Sequence, residues 1–123
     1  MYTLDTNAVI YYLKNDAIAV PILKEVFAKP APIYLSTISE IELLGFSRLG
    51  ENEEFLIENI LQTLAILPVD SRIARIAGNL RRNFGLQLAD SAIAATALFT
   101  GSALLTRNVK DFQKVTQLSI KEI

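Results

Sequence analysis

The sequence predicts an α/β fold, a three-layer α/β/α sandwich around a central parallel sheet, built as a single domain over residues 1–123. Three observations predict it. Short apolar runs such as Tyr2-Thr3-Leu4, Ile33-Tyr34-Leu35 and Ala103-Leu104-Leu105 are separated by longer segments of helical periodicity, the pattern of strands joined by crossover helices. Those runs are apolar along nearly their whole length, as strands covered on both faces are. A chain that is 51% hydrophobic and 20% charged is also long enough to bury a core without disulfides or a structural metal.

The elements follow in order. A strand over 2–4 ends at Asp5, and Val9, Ile10 and Leu13 share one face of a helix over 6–14. A second helix, over 18–29, turns Ile22, Leu23, Val26 and Phe27 inward and stops at Pro30 and Pro32. After a strand over 32–35, Thr37-Ile38-Ser39-Glu40 has the form of a capping box and opens a helix over 37–49, ended by Gly50. Residues 51–64 make an amphipathic helix, with Leu56, Ile57, Ile60, Leu61 and Leu64 set against Glu51, Glu54 and Glu58. Residues 65–69 form a short strand or an extended connection, and Pro68 keeps them away from the centre of the sheet. Asp70 is a good N-cap for a helix to Phe84, which Gly85 ends with Arg81 and Arg82 in the last turn. A small-residue helix over 88–100 ends at Gly101; a strand over 103–105, a helix over 109–115 and a strand over 118–120 complete the chain.

Composition narrows the chemistry. With 12 basic and 13 acidic residues the net charge is −1, so no long-range basic field advertises nucleic-acid binding, although nucleic acid held through metal ions stays compatible. There is no Cys and no His, which removes thiol nucleophiles, Ser-His and Cys-His dyads, Cys-type zinc sites and the usual general base. Catalysis would rest on carboxylates, hydroxyls, amides, Lys or Arg. The amino-terminal residues lack a basic-then-apolar leader pattern, and the apolar run 92–99 is too short to span a bilayer; the expectation is a cytoplasmic protein with no membrane partner.

Ligands of open parallel sheets sit beyond the carboxyl ends of the strands. Asp5, Glu40, Glu42, Asp90, Thr106, Asn108 and Asp111 all fall at strand ends or helix starts that can face that rim. Acids also favour helix N-termini for ordinary reasons of dipole and free N–H groups. Asp5 and Asp90, however, stand in apolar surroundings where a lone charge is poorly solvated. Two carboxylates about 6 Å apart repel by roughly 2–3 kcal/mol at an effective dielectric of about 20. Three such pairs approach the whole stability of a domain, about 5–15 kcal/mol, so a cluster needs shared protons or a cation. All-oxygen ligands select a hard ion, Mg²⁺ or Mn²⁺, and that chemistry suits phosphodiester hydrolysis.

Leu4-Asp5-Thr6-Asn7, Glu42-Leu43-Leu44-Gly45, the stretch Leu88-Ala89-Asp90-Ser91-Ala92-Ile93-Ala94-Ala95, and Leu105-Thr106-Arg107-Asn108-Val109-Lys110-Asp111-Phe112, in that order, resemble the PIN domain, most closely the VapC-type toxins of toxin–antitoxin pairs. The resemblance covers nearly the whole chain. It implies a Mg²⁺- or Mn²⁺-dependent endoribonuclease acting on RNA, an antitoxin that inserts a segment into the acidic groove, and a homodimer. By position, Asp5, Glu42 and Asp90 match the family's three core acids, as metal ligands and catalytic residues. Glu42 is preferred over Glu40, which stands about 200° around the helix from it. Asn7 and Thr106 match polar positions that hold a metal-ligand carboxylate or water. The fourth family acid falls where this chain has Asn108, with Asp111 as the other candidate. Arg107, next to the rim, is the candidate RNA contact; Arg48, Arg81 and Arg82 are further basic side chains able to meet phosphates.

Two other readings compete. One is a catalytically silent PIN-like module that binds RNA or protein, which need not bind metal. The other is a phosphatase of the haloacid dehalogenase type, which needs a second Asp where this chain has Asn7.

Overall fold

The computed structural model describes residues 1–45 and 50–123. Five strands form one sheet: β1 (Tyr2–Leu4), β2 (Ile33–Ser36), β3 (Ala65–Leu67), β4 (Ala103–Thr106) and β5 (Ile120–Glu122). Every pairing is parallel and the order is β3-β2-β1-β4-β5. The chain thus builds outward from β1 to one edge, then returns to build the other half beside β1. The switch point falls between β1 and β4, where Leu4 is in register with Leu105. β3, followed by Pro68, is an edge strand as its proline requires.

Seven helices cover the sheet among the described residues: α1 (Thr6–Leu13), α2 (Ala19–Ala28), α3 (Thr37–Leu44), α4 (Glu51–Leu61), α5 (Ser71–Phe84), α6 (Leu88–Thr100) and α7 (Val109–Phe112). Successive strand residues point to opposite faces, and so does the core. Leu4, Leu35 and Leu105 pack with Val9, Leu23, Val26, Ile57 and Ile60 from α1, α2 and α4. Leu104 packs on the other face with Ile73, Leu80, Ile93 and Phe112 from α5, α6 and α7. These side chains are almost wholly buried, and each Leu or Ile taken from water contributes about 1.5–3 kcal/mol. α3 lies over the carboxyl rim, its Leu43 in the first cluster and its Ile38 against the second.

Several boundaries differ from the sequence reading. Ser36, not Thr37, caps α3: its Oγ accepts from the Ile38 N–H at 3.2 Å. Thr37 instead accepts from the Val69 N–H at 3.1 Å, a partner that the capping-box pattern does not contain. α3 stops at Leu44 rather than running on, because Gly45 forms its C-cap; a Cβ there would stand 2.6 Å from the Ile41 carbonyl oxygen. The rest of the expected helix, with Arg48, lies outside the described residues. α4 ends at Leu61, so Leu64 reaches the core from the turn beyond it, while Leu56 is left 39% exposed. α7 ends at Phe112, yet Val115 is still buried, held by a turn from its N–H to the Phe112 carbonyl. β5 begins two residues later than expected because Leu118 serves the core rather than the ladder.

Asp70, Gly85 and Gly101 act as their types suggest. The Asp70 carboxylate accepts from the Arg72 and Ile73 N–H groups, and both glycines close helices in the left-handed region, at φ 69° and 67°. Asn15, at φ 55°, is the one described non-glycine residue in that region and reverses the chain between α1 and α2. No described helix is long and apolar enough to cross a membrane.

Candidate active site

Asp5 leaves the sheet at the switch point. It occupies the N-cap position of α1, yet its carboxylate makes no cap hydrogen bond. Its Oδ2 instead accepts from Thr106 Oγ1 at 2.7 Å, from the end of the neighbouring strand. Thr106 Oγ1 in turn accepts from the Asn108 N–H at 3.0 Å. Asp5 is only 6% exposed, and burial is the main cause that raises its pKa above the ordinary carboxylate range. Hydrogen bonds from Thr106 and the Thr6 backbone oppose that rise, and repulsion from Glu42 adds to it.

Glu42 comes from α3. Thr6 Oγ1, buried in the first turn of α1, lies 2.6 Å from Glu42 Oε1 and 2.8 Å from Ser39 Oγ. A hydroxyl has one proton and an ionised carboxylate can only accept, so Thr6 donates to Glu42 and the Ser39 contact uses the Ser39 proton. Ser39 and Glu42 are three residues apart on one helix face. Glu42 is otherwise open to solvent, which leaves its carboxylate accessible. It is among the charges felt by Asp5 and Asp90; Glu40 is not.

Asp90 stands in the first turn of α6, half-buried. Among the described residues its side chain has no hydrogen-bond partner. Burial first, and then the charges of Asp5, Asp111 and Glu42, push its pKa up to about 6. Asn108 opens α7 and donates from Nδ2 to Asp111 Oδ2 at 3.0 Å. The two candidates for the fourth position are therefore joined by a hydrogen bond, Asp111 bearing the carboxylate and Asn108 the amide.

Two residues named from the sequence take other places. Asn7 is exposed on α1 and holds no acid among the described residues; Thr6, its neighbour, does so instead. The Arg107 side chain is engaged within the chain. Its Nη2 and Nη1 bind Asp16 Oδ1 and Oδ2 at 2.9 and 3.2 Å, its Nε donates to the Ile123 main-chain oxygen at 2.8 Å, and its guanidinium lies 4.0 Å from the Tyr11 ring centre. Arg81 and Arg82 are exposed on the last turn of α5. Thr6 and Ser39 are the site residues that the sequence reading passed over. Their signals were adjacency to Asp5 and the i, i+3 spacing to Glu42.

Every buried side-chain nitrogen and oxygen among the described residues has a partner, whereas the half-buried Asp90 carboxylate on the rim has none among them. No three described acids close into a ready-made cage for a metal ion. The donor set still fits one: Mg²⁺ and Mn²⁺ take oxygen ligands, and Mg²⁺ keeps several waters and needs only one or two direct carboxylates. Asp90, within electrostatic range of Asp5, Asp111 and Glu42, belongs to a group of carboxylates that suits a hydrated hard ion on an open rim.

Residues 2–118 match the PIN domain family. The chain belongs to that family. Among its PIN relatives, ribonuclease VapC19 of Mycobacterium tuberculosis is 32% identical over 117 residues, which cover 91% of this chain and 92% of that protein. Ribonuclease VapC2 of Haemophilus influenzae is 30% identical over 125 residues, covering 95% and 93%. The fold also matches proteins of known structure. A crystal structure of VapBC2 from Rickettsia felis bound to a promoter DNA fragment gives a TM-score of 0.84 at 25% identity, covering 98% of this chain and 97% of that one. A toxin–antitoxin complex from Klebsiella pneumoniae gives 0.82 at 29% identity with full coverage of both chains. Membership of the PIN family displaces the phosphatase reading.

Proposed function

We propose that this chain is the ribonuclease toxin of a toxin–antitoxin pair. It hydrolyses RNA phosphodiester bonds with Mg²⁺ or Mn²⁺ held by Asp5, Glu42 and Asp90, with Asp111 as the fourth acid. The observation that carries this reading is Asp90: a half-buried carboxyl without a described hydrogen-bond partner, facing three other acids. A carboxyl so placed is unfavourable for the folded chain alone and favourable once a cation arrives.

A bound hard divalent ion would supply Lewis-acid polarisation of the phosphoryl group and a more acidic water. The chain's own part is orientation. Thr106 fixes one oxygen of Asp5, Thr6 fixes one oxygen of Glu42, and Asn108 fixes one of Asp111. In the reaction, water adds to phosphorus in line and the bond to the departing oxygen breaks.

The antitoxin reading draws on the two complexes above and on the surface beside Glu42. A groove of about 370 Å³ there is lined by Ile10, Leu13, Leu43, Leu56 and Ile57, with Lys14, Glu42, Asn52 and Glu53 as its polar members. It suits a partner segment with apolar side chains and a cationic tip, which would cover the acids.

The test is cleavage of RNA by purified chain with Mg²⁺ or Mn²⁺, beside Asp5→Asn and Asp90→Asn. The reading expects metal-dependent cutting that falls at least about 100-fold in both variants, with melting temperatures equal to or above the parent's. Cutting that persists in both variants, or in excess chelator, would contradict it.

A further inference from the structure

Arg107 lies between the two residues that orient the acids, and its side chain turns away from them. Thr106, before it, holds Asp5; Asn108, after it, holds Asp111. The guanidinium reaches the α1–α2 turn, where it binds both oxygens of Asp16, and it lies on the ring of Tyr11 in α1. Asp16 is itself fixed: its Oδ1 also accepts from the Ile18 and Ala19 N–H groups at 3.0 and 2.9 Å, which caps α2. Asn15 gives the turn its left-handed bend immediately before it.

We propose that Arg107 is a positioning residue, whose grip on Asp16 and Tyr11 locks the β4–α7 turn against α1 and so sets the orientation of the acids on the rim. α1 carries Thr6, the hydroxyl that holds Glu42, and the β4–α7 turn carries Thr106 and Asn108. One side chain therefore ties together the two segments whose polar groups orient Asp5, Glu42 and Asp111. An exposed ion pair does little for a fold. This one is different in kind: it is two-pronged, its partners are 34% and 27% exposed, and it is stacked on an aromatic ring. A lysine would keep the charge but lose the fork and the stacking. The inference rests on the metal-assisted reading of the rim, and it makes Arg107 a support of that rim instead of an RNA contact.

The experiment compares Arg107→Ala, Arg107→Lys, Asp16→Asn and the Arg107→Ala/Asp16→Asn pair in the full chain. Mn²⁺ affinity is measured without RNA, kcat and KM are measured with RNA, and amide exchange is followed at Asn108. Asn at position 16 retains an acceptor for the α2 cap, so this variant loosens the clamp without removing the helix start. Arg107→Ala should weaken Mn²⁺ binding and lower kcat, each by about tenfold, with KM within about twofold. Arg107→Lys should fall between, and the double variant should be no worse than Arg107→Ala alone. The Asn108 N–H, which donates to Thr106 Oγ1, should exchange faster in Arg107→Ala. A raised KM with unchanged kcat and Mn²⁺ affinity would overturn the inference and make Arg107 an RNA contact. A lower melting temperature alone, with all three readouts unmoved, would overturn it too. If the parent chain neither binds Mn²⁺ nor cuts RNA, the functional reading fails by itself, and unchanged Asn108 exchange separately overturns the clamp.

Discussion

Thr106 Oγ1 donates to Asp5 Oδ2 at 2.7 Å, joining residues 101 positions apart across the switch point between β1 and β4. The strand pairing makes this bond possible: Leu4 and Leu105 are in register, so the next residue of each strand emerges on the same rim. The bond takes one oxygen of a buried carboxylate that lies within electrostatic range of Glu42 and Asp90.

Replacing Thr106 with Val keeps the shape and removes the hydroxyl. Asp5 loses its donor and the Asn108 N–H its acceptor, and buried polar groups left unpaired cost about 1–3 kcal/mol. The melting temperature should drop and RNA cleavage should fall about 10–100-fold, while Thr106→Ser keeps most of both. Equal cleavage by Val and Thr forms would remove Thr106 from the site.

The raised acids make stability depend on pH in a defined direction. Unfolded, Asp5 and Asp90 lose their protons near 3.8; folded, Asp90 keeps its proton up to about 6 and Asp5 is also raised. Over that interval the folded state binds more protons, so in chelator the melting temperature should fall as pH rises from about 4 to about 6.5. Asp16 and Asp70, held below the ordinary range by Arg107 and Arg72, act in the opposite sense, their stabilisation being lost only at lower pH. Melting curves of the parent minus Asp90→Asn isolate the effect. A flat difference across the interval would contradict it.

Much of this was legible in the sequence, for reasons that particular residues show. Apolar runs bounded by turn residues marked all five strands, the last of them two residues early, and the rule that ligands meet the carboxyl ends of strands gathered Asp5, Glu40, Glu42 and Asp90 among the rim candidates, from which the family resemblance singled out Asp5, Glu42 and Asp90. What was not legible depends on partners far away along the chain. Thr37 looks like a cap until Val69, 32 residues on, takes its hydroxyl. Arg107 looks like a phosphate contact until Asp16, 91 residues back, occupies it. The family resemblance points to Asn7, and only the fold shows that its neighbour Thr6 is the residue that turns inward to Glu42.

Asn108 offers a test by addition. Asn108→Asp would place a second carboxylate at hydrogen-bond distance from Asp111, in reach of Asp90. The metal-free variant should melt below the parent at pH 7, and added Mn²⁺ should raise its melting temperature more than the parent's. An equal Mn²⁺ response in both proteins would place Asp111 outside the site.

Thr6 separates orientation of Glu42 from its charge. Thr6→Val leaves Glu42 without its donor, so cleavage should fall about 10–100-fold while Thr6→Ser stays near the parent. Comparing both with Glu42→Gln in the same RNA assay checks the point, since a Val variant as active as the parent would show that Glu42 needs no holder.

The central claim is that Asp5, Glu42 and Asp90 form one cation site at the switch point. Calorimetric titration of Mn²⁺ into the metal-free chain at pH 7 tests it most directly, beside Asp5→Asn and Asp90→Asn. The account predicts saturable binding by the parent and loss of that heat in either variant. No heat with the parent, or binding by both variants as tight as the parent's, would contradict it.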